Sequence, residues 1–575
     1  MAGPLTTTHP AAEVIIMKQR ISRTLAVLLI CSLLLSACGE KPKEGTTAPA
    51  SEVPAVSTEA PAPETETAAP EPVVLELTPE NSRVFYEIFV GSFSDSDGDG
   101  IGDLRGIINR MDYLNDGRGE AGESLGVEGL WLTPIFKSNS YHKYNVNDYY
   151  AIDSEFGTME DLKELVALCH SRNVKLILDL PINHTGSQNP WFNQFVIARR
   201  QGNTQDPYYN FYTCCGQKET PPAGRTFTAL AGTDISYECN FSGDMPELDF
   251  NQEAVRQATL DVAKYYMDLG VDGFRFDAAK YIYLGETEKS VDFWEWYMDE
   301  LRKIDPDVYA IAEVWDADRI TDEYYAALDC FNFTTAGAEG LIDSTAKAGY
   351  VEQYTFYIAD YLKTIQGKRP GAMLHEFISN HDTDRASGYL TLISGQMQLA
   401  ASLYLLTPGS PFIYYGEEIG LKGSRGGANT DANRRLAMRW GDGDTVKDPA
   451  GSTYEEKNQV NGTVADQVGK AGSLFEHYQK ILALRKANPA IAEGKYTALD
   501  LKEIKAGGFI AEKDDNIVCV IHNTSKGTER IPLTSLSSVY TFSEVNGVLG
   551  QGEAYIEDGK LVINGLTSVV LRPGK

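Results

Sequence analysis

From Arg83 onward, short unbroken apolar runs alternate with longer stretches in which apolar residues recur every three or four positions. The first pattern predicts strands buried on both faces, and the second predicts amphipathic helices. Strands are expected at Val84–Val90, Gly129–Phe136, Lys175–Ile182, Gly273–Ala278, Tyr309–Trp315, Cys330–Thr334, His375–Ser379 and Pro411–Tyr415. Asn251–Leu269 shows the helical spacing, with Val255, Ala258, Val262, Tyr266 and Leu269 on one face. Eight strands with intervening helices predict an α/β fold, a (β/α)8 TIM barrel. The interval from His184 to Leu248 is too long for a strand-to-helix loop and carries Gly, Pro, Cys and Tyr, so a small domain inserted after strand three is expected. Beyond a helix at Ser473–Ala490, the pattern turns to short strands at Gly508–Ala511, Ile517–His522 and Ser568–Arg572, an all-β sandwich. The expected boundaries are 78–185 and 249–492 for the barrel, 186–248 for the insert and 493–575 for the sandwich.

The amino-terminal segment has neither pattern. Lys18, Arg20 and Arg23 precede an apolar stretch, Thr24–Leu35, too short to span a bilayer core of ~30 Å comfortably. Leu35-Ser36-Ala37-Cys38 resembles a lipobox, so residues 1–37 are expected to be a lipoprotein signal peptide with Met17 as the true start, and Cys38 the lipidated residue. Cys38–Pro72 contains 7 Pro, 7 Ala and 7 Glu and no Leu, Ile, Met or aromatic residue, so it cannot build a core. Residues 38–77 are expected to be an extended linker holding the body at the cell surface, with the lipid as its sole membrane link.

Composition narrows the partners. The formal net charge is −30 and the pI about 4.7, which repels phosphate backbones and excludes nucleic acid. Tyr (31) outnumbers Phe (22) and Trp (6), offering stacking surfaces for neutral polar ligands. Of the eight cysteines, Cys31 leaves with the signal and Cys38 takes lipid. The rest fit no zinc spacing. Cys239 is a candidate disulfide partner of Cys214 or Cys215, whereas Cys169, Cys330 and Cys519 lie in apolar patterns and are expected to be buried thiols. A monomer is expected.

In a barrel of this kind, charged residues at the carboxyl ends of strands face the active site. Strand three ends in Asp179-Leu180-Pro181-Ile182-Asn183-His184 and strand four in Arg275-Phe276-Asp277-Ala278-Ala279-Lys280. Strand five carries Glu313-Val314-Trp315, and strand seven Asn380-His381-Asp382. Three strands therefore aim Asp277, Glu313 and Asp382 at one pocket. These segments resemble the signature regions of the α-amylase superfamily, glycoside hydrolase family 13, in order and over roughly residues 80–575. Gly126–Pro134, Met245–Asp249 and Gly409–Glu418 resemble its accessory regions.

The resemblance implies Asp277 as nucleophile, Glu313 as general acid/base and Asp382 as the carboxylate that binds the sugar hydroxyls. It implies that Arg275 keeps Asp277 ionised, and that His184 and His381 contact the sugar at the point of cleavage. Tyr144 resembles the aromatic platform under that sugar, Lys280 belongs to the α-1,4-acting pattern, and Asp431 with Arg435 resembles a substrate-side pair. Tyr281 and Lys143 depart from that pattern, standing where His and Gly are common. Asp95, Asp97, Asp99, Ile101 and Asp103, with Gly100 at the sixth place, resemble half of an EF-hand loop and the family's structural Ca²⁺ site. The expected activity is retaining hydrolysis of internal α-1,4 bonds in starch and maltooligosaccharides. Debranching or neopullulanase-like action, 4-α-glucanotransfer and a non-catalytic glycan-binding lipoprotein are the alternatives.

Overall fold

A computed structural model describes residues 82–119, 122–390, 395–501 and 504–574. The signal peptide, Cys38 and the whole linker lie outside the described residues.

Seven parallel strands form the central sheet: β1 (Phe85–Ile88), β2 (Gly129–Leu132), β3 (Lys175–Leu180), β4 (Gly273–Phe276), β5 (Tyr309–Ala312), β6 (Asp329–Cys330) and β7 (Phe412–Tyr414). Their order is β6-β5-β4-β3-β2-β1-β7, so the curled sheet must be closed between β6 and β7. The segment expected as a strand at His375–Ser379 does this without forming a ladder. His375 bridges Phe331 in parallel and accepts from Asn332 N–H (3.2 Å). On the other side Leu374 and Glu376 carbonyls accept from Ser410 and Phe412 N–H, both at 2.9 Å. Its neighbour β6 is only two residues long, which leaves no partner for a longer ladder.

Alternation along each strand sorts the side chains. Odd-numbered residues of β1 to β5 turn inward. Phe85, Trp131, Ile177, Tyr309 and Ile311 pack on Phe331, Phe377 and Phe412 as a closed core. Space is tight at the base: a Cβ on Gly129 would stand 2.4 Å from the Phe85 ring. The same inward stripe, followed toward the carboxyl ends, arrives at Glu87, Asp179, Arg275, Asp277 and Glu313.

Helices cover the outside. Met159–Ser171 begins with a reciprocal cap, Thr158 Oγ1 accepting from Asp161 N–H while the Asp161 carboxylate accepts from Thr158 N–H. It buries Leu162, Leu165, Val166 and Cys169, one stripe at helical spacing. Glu253–Asp268 buries Val255, Val262 and Tyr266 as expected, together with Thr259, Leu260 and Ala263.

Between β3 and that helix the chain makes its long excursion. It holds a helix, Pro190–Gln201, and a three-stranded antiparallel sheet in the order Cys214–Gly216, Ile235–Glu238, Phe227–Ala229. The expected disulfide is absent: Cys214, Cys215 and Cys239 are all free thiols. Cys214 pairs with Tyr237, so Cys239 lies a diagonal step away along the neighbouring strand. Diagonal Cβ atoms sit roughly 7–8 Å apart, too far for an S–S bond. Cys215 points to the opposite face. Cys169, Cys330 and Cys519 are buried thiols, as expected.

The carboxyl-terminal strands form a five-stranded and a three-stranded antiparallel sheet. Along Ala506–Lys513, Ile510 faces Ile521, Ile531, Leu561 and Leu571 inside the sandwich, while Phe509 and Ala511 turn to the main core.

Candidate active site

The site lies at the carboxyl ends of β1 to β5 and is organised around Arg275. This guanidinium is fully buried and has three carboxylates around it. Nη1 donates to both oxygens of Asp179 (2.9 and 3.0 Å) and to Asp277 Oδ1 (2.6 Å), while Nη2 stands 3.2 Å from Glu313 Oε2. A charge taken out of water at such cost requires this degree of pairing.

Asp277 follows the last residue of β4, and the next residue turns sharply. Ala278 has φ +46°, a left-handed conformation rare outside glycine. That turn aims its N–H at Glu313 Oε2 (3.0 Å), tying the two strand ends together. Burial raises the Asp277 carboxyl to about 6, with Arg275 opposing and Asp179 and Asp382 adding to the rise. Arg275 thus restrains a larger desolvation effect. Burial likewise raises Glu313, to about 7, with Asp277 and Asp382 contributing. Burial is the larger cause of that rise, and Arg275 opposes it.

Asp382 is the opposite case. Burial would raise it, but His381 and Arg435 hold it well below the usual carboxylate range. His381 Nε2 lies 3.2 Å from Oδ2, and Arg435 Nη2 donates to Oδ1 at 2.7 Å. Arg435 also donates to the His381 carbonyl (3.1 Å) and to Tyr141 Oη (2.9 Å).

Tyr144 lies parallel to His381, with centroids 5.5 Å apart, and donates to Asp179 Oδ2 (2.8 Å). His184 is buried, with Nε2 donating to the Tyr144 carbonyl (3.1 Å) and Nδ1 free of any partner among the described residues. Burial lowers it to about 4, so it is neutral. Lys280 stands at the rim, donating to the Trp315 carbonyl (2.7 Å) and Asp316 (3.1 Å).

Asp431 and Arg435, the expected substrate-side pair, take different partners. Asp431 binds Arg434 Nη1 and Arg425 Nε, each at 3.0 Å, at an exposed edge. Arg434 and Arg435 are consecutive and divide the work: the first binds Asp431, Asp384 and the Asp382 carbonyl (2.7 Å), the second the Asp382 carboxylate.

The two departures from the family pattern acquire reasons. Lys143 adopts φ +62°, where glycine would be unstrained, and its buried ammonium pairs with Asp153 (3.2 Å) and Glu155 (2.5 Å). Tyr281 packs on exposed Phe241, with ring centroids 4.7 Å apart.

Several residues were missed from the sequence. Asp179 and Tyr141 bind the central arginines, and Trp315, 48% exposed, stacks on Phe333 at the cleft edge. Glu87 on β1 binds His381 Nδ1 at 2.5 Å. Its signal was available: it is the one charged residue of the otherwise apolar strand Phe85–Ile88.

Away from the cleft, carboxylate oxygens of Asp95, Asp97 and Asp99 lie within 4.8 Å of one another. Gly100 has φ +97°, the sharp turn expected at the sixth place. Asp103 closes the loop, accepting from Ser96 N–H (2.9 Å) and Gly106 N–H (2.7 Å), the latter as a helix cap. The converging oxygens suit a hard cation such as Ca²⁺.

Comparison with known proteins agrees with this geometry. Residues 87–494 match the family model for the alpha amylase catalytic domain. The chain is 33% identical over 500 residues to Alpha-amylase 3 of Dictyoglomus thermophilum, covering 85% of this chain and 93% of the relative. It is 30% identical over 455 residues to a 4-alpha-glucanotransferase of Thermotoga maritima, covering 76% and 95%. Among solved structures, Eubacterium rectale Amy13B superposes with a TM-score of 0.79 at 29% identity, covering 87% of this chain and 97% of that one.

Proposed function

The chain belongs to the α-amylase family, glycoside hydrolase family 13, and is a retaining glycoside hydrolase; from that premise we propose that it is an α-amylase cleaving internal α-1,4 bonds of starch and maltooligosaccharides. The observation that carries this reading is the convergence of Asp277, Glu313 and Asp382 on one buried guanidinium–imidazole frame, with Glu313 raised to about 7 and Asp382 ionised.

Each group has a step that its environment suits. Glu313, protonated near neutrality, donates its proton to the glycosidic oxygen as the bond to the anomeric carbon breaks. The Asp277 carboxylate attacks that carbon from the other face and forms a covalent glycosyl ester. The deprotonated Glu313 then removes a proton from water, which displaces Asp277 and regenerates both groups. Asp382 and His184 Nδ1 are left to hydrogen-bond the sugar hydroxyls, and Tyr144 supports the ring. Arg275, bound to both reacting carboxylates, keeps them close, as a retaining pair separated by about 5–5.5 Å requires.

A 4-α-glucanotransferase is the second reading, favoured by the Thermotoga relative. It differs only in that a glucan hydroxyl replaces water in the second step. Soluble starch is expected to be cut with higher kcat/KM than isomaltose or panose, and maltoheptaose to yield only shorter sugars. Isomaltose as the better substrate would replace the α-1,4 reading, and products longer than maltoheptaose would establish transfer.

Asp95, Asp97 and Asp99, with the Ile101 carbonyl, would hold a Ca²⁺ ion, which would neutralise the loop and serve no step of the reaction, while Asp103 closes the loop through its two backbone hydrogen bonds. A bound ion stabilises by RT ln(1 + [L]/Kd), about 2.7 kcal/mol at 100 Kd. Calcium is expected to raise the melting temperature of the parent and leave the Asp97→Asn/Asp99→Asn variant nearly unmoved; equal shifts would refute the site. Lipidation at Cys38 and a cell-surface location belong to the same proposal and rest on the sequence. The mass of the mature amino-terminal peptide, with or without diacylglycerol on Cys38, decides them.

A further inference from the structure

Glu87 has no place in the reaction described above, yet it is fully buried at the top of β1. A carboxylate in such a position costs several kcal/mol unless it is paired. Its partner is His381, whose Nδ1 lies 2.5 Å and whose backbone N–H lies 3.3 Å from Glu87 Oε1. The other ring nitrogen, Nε2, is 2.6 Å from Tyr144 Oη and 3.2 Å from Asp382 Oδ2.

The hydrogens around this ring can be accounted for one by one. Tyr144 has a single hydroxyl hydrogen, and it goes to Asp179 Oδ2. Asp179 takes Arg275 Nη1 on both oxygens and is an acceptor only. The Tyr144 oxygen can therefore only accept from His381 Nε2. Asp382, bound by Arg435, is likewise an acceptor, and Glu87 Oε1 already accepts from the His381 backbone N–H. Both ring nitrogens must donate, which among imidazole forms only the cation does.

We propose that Glu87 is a positioning residue that anchors His381 by Nδ1 and holds the ring as an imidazolium, so that Nε2 presents a fixed donor to Asp382 and Tyr144. This rests on the reading that Asp382 and His381 face the sugar. The charged and titratable groups around the ring come from every neighbouring element. Glu87 lies on β1, Tyr144 and His142 after β2, Asp179 and His184 on and after β3, and Arg275 with Asp277 on and after β4. Asp382 is adjacent in the chain, and Arg435 packs from the loop beyond β7. Burial alone would strip the proton, but Asp382 and Glu87 outweigh it and raise His381 to about 10. Without Glu87, burial would be opposed mainly by Asp382, and the ring would become neutral at a lower pH. A group raised in this way keeps its function below its folded value, so the variant should lose activity as pH rises through the lowered one.

Two measurements test this. In the full chain labelled with ¹⁵N-histidine, the His381 ring, assigned by its loss in His381→Gln, should give imidazolium shifts at pH 8, and Glu87→Gln should turn it into a neutral imidazole. A neutral ring in the parent at pH 7 would overturn the proposal, with no variant needed. The second is the pH profile of kcat/KM on an aryl maltotrioside with a good leaving group, which does not require the Glu313 proton for the first step. Glu87→Gln should lose about tenfold more than the parent between pH 6 and pH 8 for each unit by which the imidazole is lowered into that range, and Glu87→Asp should recover most of it. A uniform drop with an unchanged profile would reduce Glu87 to a packing role and overturn the proposal. A parent that cleaves no glucan would defeat the functional reading, and the nitrogen spectrum would still decide the state of His381.

Discussion

Asp277→Asn is expected to fold as the parent does and to lose turnover on maltoheptaose by on the order of 10⁵-fold, the scale seen when a covalent nucleophile is removed. Folding survives because the amide has the carboxylate's shape and its oxygen still accepts from Arg275. Arg275 is not stranded: Asp179 remains at 2.9 Å and Glu313 at 3.2 Å. Turnover does not survive, because the amide oxygen cannot form the glycosyl ester. The substitution also removes a negative charge that raises Glu313, so the Glu313 carboxyl should titrate lower in the variant. Reducing-sugar release and a thermal melt on the same preparations check both halves. Rates near that of the parent would remove Asp277 from the machinery, and the retaining assignment of these residues with it.

Glu313→Gln should cost roughly 10² to 10⁴ in kcat/KM on maltoheptaose, the usual worth of a positioned general acid. The loss should shrink on aryl glycosides whose leaving group departs without protonation. A Glu313→Ala variant should regain turnover with external azide, which attacks the glycosyl ester without a general base and yields a glycosyl azide of retained configuration. The pH profile gives a second readout. Parent kcat/KM requires Asp277 ionised and Glu313 protonated, so it should rise as pH passes about 6 and fall as it passes about 7. Glu313→Gln has no proton to lose, and its alkaline limb should flatten while the acid limb stays. An alkaline limb that persists unchanged would assign the titration to another group.

How much of this was legible beforehand depended on the range of the interactions involved. Parallel strands are buried on both faces, so β1 to β5 appear in the chain as unbroken apolar runs, and the charged residues at their ends stand out against them. Arg275, Asp277 and Glu313 could be named from that contrast. Two-residue alternation even placed Arg275 and Asp277 on one face, because that is a local property of the strand. The acidic loop at Asp95 to Asp103 was legible for the same reason, its spacing and its glycine being contiguous.

Tertiary structure decided what depends on partners far along the chain. Glu87 and His381 are 294 residues apart, and nothing local shows that they meet. Arg434 and Arg435 are consecutive in the sequence; the path of the loop brings only the second to the Asp382 carboxylate, while the first takes its carbonyl and Asp431. The strand expected at His375 became a single bridge because its partner β6 is short. Strand register, not cysteine spacing, kept Cys214 and Cys239 apart. The apolar pattern determines which segments are buried and which face of each is inward, since burial of a short segment is paid for locally. Which buried charges share a proton is set by distances across the barrel, and only the closed sheet fixes those.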